Sequence, residues 1–211
     1  KEINNLAKIT TDNKSAIIVG APRKNANSIK NSVFVIEKGK IISVKDKHEL
    51  PNTGVFDEQR IFEKGILENC VKIKGVNFGL PICEDIWKET VLKKLSKSGA
   101  EIIVAINASP FTMSKYDERN DIALCRVKET KLPIVYLNRT GGQDELIFDG
   151  SSFSLNYDGK KFSSLEEFKE DISIINFSKN NGKWIGYGNL KENSSQSERL
   201  YKALVLGLRD Y

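Results

Sequence analysis

The chain has 211 residues, 39% of them hydrophobic, enough to bury one substantial core and to form one or two domains. Its 33 Lys and Arg against 28 Asp and Glu give a formal charge of +5 with both signs interspersed, so no basic stripe with interleaved aromatics marks a nucleic-acid surface. No apolar run approaches the roughly 20 residues that span a bilayer and no signal peptide opens the chain, which predicts a soluble cytoplasmic protein with no membrane partner.

In chain order, residues 16–20 read as a buried strand. Residues 33–37 and 40–45 flank Lys38-Gly39 and predict a hairpin; 71–73 and 76–82 flank Lys74-Gly75 and predict another. Residues 89–98 have a helical pattern, with Val91, Leu92 and Leu95 on one face and Gly99 as the C-terminal cap. After a strand at 101–106, a second helix opens at Ser114 with Asp117 as a capping-box variant and runs to about Lys131, with Ile122, Cys125 and Val127 as packing positions. Further strands are expected at 133–137, 146–148, 152–155 and 171–177. Strands alternating with helices predict an α/β sheet with crossovers, and the hairpins make it mixed. Residues 178–197, rich in Ser, Asn, Lys and Gly, read as a linker. Residues 198–211 resume a helical pattern, with Leu200, Ala203, Leu204 and Leu208 apolar. The expected organisation is a domain over 1–177, a linker over 178–197 and the first helix of a further domain over 198–211.

Cys70, Cys83 and Cys125 show neither disulfide pairing nor zinc-ligand spacing, and no metal site is expected. His48 is the one histidine, and it reads as a surface residue. The segment Gly79-Leu80-Pro81-Ile82-Cys83-Glu84-Asp85-Ile86-Trp87 puts a thiol where a strand ends and a helix follows. Amides at such a turn lower a thiol pKa and supply oxyanion donors. Composition alone favours an inert buried cysteine instead. A lysine beside a thiolate favours its ionised form and binds a developing oxyanion, and Lys47, followed by rigid turn residues and the carboxylates Asp57 and Glu58, is a candidate for it. Lys is abundant in this chain and most lysines are solvated, so the signal by itself is weak. Asp57, Glu58 and Arg60 read equally well as a solvated turn. Gly141-Gly142 lacks the Lys-Ser/Thr pair of a phosphate loop and reads as a turn beside the site. Cys70 and Cys125 read as structural.

Four blocks occur in order: Lys47-x-x-Leu-Pro-Asn-x-Gly-Val-Phe-Asp-Glu58, Leu80-x-Ile-Cys-Glu-Asp-Ile-Trp87, Asn107-Ala-Ser-Pro-Phe111 and Gly141-Gly-Gln-Asp-Glu-Leu-Ile-Phe-Asp-Gly150. Together they resemble the glutamine-hydrolysing amidase domain of glutamine-dependent NAD⁺ synthetases, in the carbon–nitrogen hydrolase (nitrilase) superfamily, over roughly residues 15–177. Residues 201–211 are similar to the first helix of the ATP-dependent domain in the same proteins. The resemblance implies a four-layer α-β-β-α sandwich. It implies that Cys83 attacks the glutamine side-chain amide and forms a thioester, that Lys47 lies beside its sulfur and stabilises the tetrahedral intermediate, and that the Glu84 amide is a second oxyanion donor. Ser109 and Lys115 match positions that hold the α-amino and α-carboxyl ends of L-glutamine, and Glu58 matches a second, positioning glutamate. No cofactor is implied in this domain; ATP and Mg²⁺ belong to a synthetase domain, and the assembly implied is a homo-oligomer.

Two departures stand out. Thr53 occupies a position where the family has a pocket-lining Tyr, and no Phe-Pro-Glu block, which carries the family's general base, precedes Lys1. The expectation is therefore an incomplete chain, lacking the first strand-helix-strand unit and the synthetase domain, that hydrolyses glutamine poorly by itself. Two other readings are a stand-alone nitrilase-like amidase, against which residues 198–211 argue, and a split-gene product that only binds a partner.

Overall fold

The computed structural model describes residues 2–12 and 15–211, and the chain forms two compact units, Lys1–Ala100 and Glu101–Tyr211. In the first, a short helix α1 (Glu2–Ala7) precedes strands β1 (Ala16–Asn25), β2 (Ser28–Glu37) and β3 (Lys40–Asp46), antiparallel in the order β1-β2-β3. The expected hairpin is there: Lys38 and Gly39 take φ of 54° and 73°, the pair of left-handed residues that matches a two-residue loop to strand twist. β2 carries the core through Val33, Phe34, Val35 and Ile36. β1 is longer than expected and none of its residues is buried. Its apolar run signals a strand covered on both faces, but β1 is an edge of its sheet.

The same unit continues with α2 (Glu58–Ile61), the hairpin β4 (Val71–Ile73) and β5 (Val76–Gly79), a 3-10 turn at Cys83–Trp87, and α3 (Glu89–Lys97). β5 stops earlier than expected, and residues 80–82 lead from it to the turn. α3 buries the expected Val91, Leu92 and Leu95, each such side chain stabilising by about 1.5–3 kcal/mol. Gly99 follows at φ 93°, as a C-terminal cap requires.

In the second unit, β6 (Ile102–Asn107), α4 (Lys115–Thr130) and β7 (Ile134–Asn138) form a crossover, with β6 and β7 parallel from Ile103↔Ile134 to Asn107↔Asn138. β8 (Thr140–Gln143) and β9 (Leu146–Asp149) pair as a hairpin. Gly141 and Gly142 lie inside β8, not in a turn; the bend falls at Asp144, φ 52°. β10 (Phe153–Leu155) lies antiparallel to β7, and β11 (Lys161–Ser164) antiparallel to β10. The buried stripe of α4 is Tyr116, Arg119, Ala123, Arg126 and Val127. Cys125, expected to pack, is exposed, because two paired arginines take helix positions that an apolar periodicity does not count. Ser114 makes no capping bond; its hydroxyl donates to Glu118 Oε1 at 2.5 Å.

The stretch expected as a linker begins instead with a hairpin, β12 (Asn176–Asn180) and β13 (Lys183–Tyr187). Its strand starts only at Asn176, where one was expected from 171. Gly186 lies under the Phe162 ring, where a Cβ would come within 2.2 Å, and Asn156 clamps its backbone from both sides, accepting from its N–H at 2.7 Å and donating to its carbonyl at 3.2 Å. Trp184 donates to Glu101 at 3.2 Å. The last helix, α5 (Gln196–Asp210), starts at a Ser195 cap and packs Ala203 and Leu206 with Phe168, Phe111 and Ile147. Among the described residues no helix is long and apolar enough to cross a membrane.

Candidate active site

Cys83 takes φ of 48°, a left-handed conformation that costs a non-glycine residue about 1–3 kcal/mol. It is the first residue of the 3-10 turn, after Ile82 in extended conformation, so the chain bends sharply at the thiol. A nucleophile on such a strained bend is presented clear of its own backbone. The first bond of the turn runs from the Asp85 N–H to the Ile82 carbonyl at 3.1 Å, so the amides of Cys83 and Glu84 lie at its start. Cys83 is half-buried, and Ile82 and Ile86 in the same stretch are buried. Cys70 is held on Ser98: its amide donates to Ser98 Oγ at 2.8 Å, and its sulfur donates to the Ser98 carbonyl at 3.0 Å.

Lys47 follows β3 directly and is 1% exposed. Its ammonium donates to Glu58 Oε1 at 2.6 Å. Glu58 opens α2, and its Oε2 is buried without a hydrogen bond. The Lys47 main chain is fixed on both sides, its N–H to Asn31 O and its carbonyl to the Gly65 N–H, each at 2.8 Å. Only glycine allows that second contact: a Cβ on Gly65 would sit 2.6 Å from Asp46 O and 2.8 Å from Lys47 O. His48 is half-buried rather than on the surface, with Nδ1 at 2.8 Å from Gly65 O. Thr53 and the Asp57–Arg60 ion pair are exposed. The structure thus joins Lys47 to Glu58 and leaves Thr53 in solvent.

Asp85 did not figure among the expected site residues. Its buried carboxylate accepts the amides of His48 and Glu49 at 3.1 and 2.7 Å on Oδ1, and that of Ile82 at 3.0 Å on Oδ2. Burial pushes it up to about 6, against the opposing pull of those amides and of the Lys47 charge. An acid at the third position of a turn is the capping signal that points to the Ile82 bond; nothing local points to the other two.

Ser109 and Lys115 belong to the second unit. Ser109 is buried after β6, and Asn138 clamps its backbone, accepting from its N–H at 2.8 Å and donating to its carbonyl at 3.2 Å. Arg119 pairs with Asp149 through both oxygens at 2.7 and 3.1 Å and reaches Pro110 O at 3.4 Å. The Phe111 amide donates to Ile147 O at 2.7 Å. The 107–111 and 141–150 blocks are therefore one connected structure. Lys115 opens α4 and pairs with Glu118 at 2.6 Å.

Residues 1–184 match the family model described as carbon-nitrogen hydrolase. The chain is 36% identical over 197 residues to the glutamine-dependent NAD(+) synthetase of Rhodobacter capsulatus, a match covering 93% of this chain and 36% of that protein. The structure of glutamine-dependent NAD+ synthetase from Acinetobacter baumannii in complex with ADP superposes with a TM-score of 0.91 at 32% identity, over 100% of this chain and 40% of that one. A carbon-nitrogen hydrolase from Helicobacter pylori G27 superposes at 0.76 with 19% identity over 100% of this chain and 73% of its own, a likeness of fold alone. The chain spans well under half the length of the two synthetases.

Proposed function

The chain belongs to the carbon–nitrogen hydrolase family and has its nitrilase-type mixed α/β fold, and from that premise we propose that it hydrolyses the side-chain amide of L-glutamine with Cys83 as the nucleophile. The observation that carries this reading is the buried Lys47–Glu58 pair, whose loop is tied through Asp85 to the bend at which Cys83 sits. The Cys83 thiolate adds to the amide carbonyl. The C–N bond then breaks as the nitrogen takes up a proton, leaving ammonia and a thioester, and water releases glutamate and the thiol. Lys47 faces the developing oxyanion, where a fixed cation acts most strongly in a site shielded from water. Glu58 holds the ammonium in place, and the Glu84 amide is the second donor. By the resemblance, Ser109 and Lys115 hold the two ends of the amino acid, and the exposed Thr53 stands where the family has a pocket-lining Tyr, so that ring is lost. The base that takes the thiol proton lies, by the resemblance, in a Phe-Pro-Glu block that these 211 residues do not contain. On the same reading the ammonia serves an ATP- and Mg²⁺-dependent amidation of nicotinic acid adenine dinucleotide to NAD⁺.

The test is ammonia release from glutamine by the protein expressed from its complete reading frame, compared with its Cys83→Ala variant. Loss of a covalent nucleophile lowers turnover by several orders of magnitude. A variant retaining more than about a tenth of the rate contradicts the assignment, since that is far less than such a loss entails.

A further inference from the structure

Asp85 has no assigned part in the chemistry, and its carboxylate is spent on main-chain amides. His48 and Glu49, which donate to Oδ1, directly follow Lys47; Ile82, which donates to Oδ2, directly precedes Cys83. The Lys47 backbone is already anchored to Asn31 and Gly65, so the carboxylate is the link from that anchored segment to the thiol's bend. We propose that Asp85 is a positioning residue that sets the spacing of Lys47 and Cys83 by bridging the amides after one to the amide before the other. This rests on the reading of those two residues given above.

The chemistry of the bridge requires a carboxylate. Both oxygens accept, so an Asn in its place would turn an NH₂ donor toward one of the donating amides. Protonation does the same through an O–H. Burial brings that event to about pH 6, within reach of an assay. The charged and titratable groups around Asp85 are Lys47, His48 and Glu49 on the bridged loop, Glu58 behind Lys47, Cys83 and Glu84 on its own turn, and Lys45, Asp46 and Glu68 along the same small cleft. His48 is the one among them whose ordinary range also lies near 6, so it needs its own control.

The experiment measures kcat and KM for glutamine between pH 5 and 8 in the protein from its complete reading frame, in Asp85→Asn, and in His48→Gln. Misplacing a catalytic pair by about 1 Å costs on the order of 100-fold. Asp85→Asn should therefore lose 10- to 100-fold in kcat, by the same principle, with KM little changed, and should lose the fall in kcat below about pH 6. His48→Gln should keep that fall. Should Asp85→Asn not fold, Asp85→Glu replaces it, and its acidic inflection should move. The proposal is overturned by a flat wild-type kcat between pH 5 and 7, by an acidic limb that survives unchanged in the Asp85 variant, or by one that vanishes with His48. The function reading fails separately, if Cys83→Ala keeps turning over glutamine; loss of turnover in Cys83→Ala beside an unaffected Asp85→Asn defeats the positioning role alone.

Discussion

Lys47 is 1% exposed, and its Nζ lies 2.6 Å from the Glu58 carboxylate. Replacing it with Met leaves Glu58 facing no cation, with Oε2 already lacking a hydrogen bond. Because Glu58 retains some contact with water, Lys47→Met should cost roughly 2–3 kcal/mol in urea unfolding, the low side for a broken buried pair. Adding Glu58→Gln should recover most of that stability but none of the activity, since the oxyanion partner stays absent. Asp85 predicts a pH dependence of stability opposite in sign to that of its role in turnover. Its folded pKa is raised from 3.8 to about 6, so its contribution is fully present below about pH 4 and is lost as pH rises through 6. The loss is roughly 3 kcal/mol, and the stability slope over that window should disappear in Asp85→Asn. Cys83 and Lys47 stand out in the sequence as candidates because their blocks are contiguous and chemically distinctive. Asp85 was not: two of its three partners lie about 36 residues away and are backbone amides, which carry no side-chain signature.

At the scale of elements, both long helices of the middle of the chain were legible, but their inward faces were legible only where burial is apolar and not where it is ionic. α3 follows its Val91-Leu92-Leu95 stripe, whereas α4 turns Arg119 and Arg126 inward and Cys125 outward. Arg119 and Asp149, at 1% and 0% side-chain exposure, join α4 to the end of β9 and to the loop bearing Ser109. Asp149→Asn should therefore destabilise by about 3–5 kcal/mol in chemical denaturation, the cost of leaving a buried charge unpaired. Lys93→Ala, which breaks the exposed pair with Glu89, should shift stability by no more than about 0.5 kcal/mol. The hairpin of β12 and β13 was hidden for a different reason. Its Ser, Asn, Lys and Gly composition reads as solvated chain, and it is held by what it lies against, Phe162 over Gly186 and the Asn156 clamp. Likewise the helix start was placed at Glu198 although Ser195-x-x-Glu198 is a capping box, with the Glu198 amide donating to Ser195 Oγ at 3.3 Å and its carboxylate accepting from the Ser195 amide.

Across the whole molecule, the α/β class, the mixed pairing and the family were legible, since four ordered blocks and alternating strands and helices survive any uncertainty in element ends. Packing partners were not. The pattern of 198–211 gives an amphipathic helix, but not that α5 rests on Phe168, Phe111 and Ile147 or that Asp210 accepts the Gly142 amide at 2.7 Å. Leu206→Ala should accordingly cost about 2–4 kcal/mol, whereas Leu208→Ala, at 82% exposure, should be near neutral. Because Phe111 sits in the loop that bears Ser109, loosening α5 should also raise KM for glutamine. The central claim, that Cys83 is the residue that bonds to glutamine, is tested most directly by incubating the protein from its complete reading frame with a glutamine analogue bearing an electrophilic ketone in place of the side-chain amide, then mapping the adduct by mass spectrometry. A single adduct on Cys83, suppressed by excess glutamine, is the expected result. An adduct on Cys70 or Cys125 instead, or continued glutamine turnover with Cys83 fully modified, would contradict it.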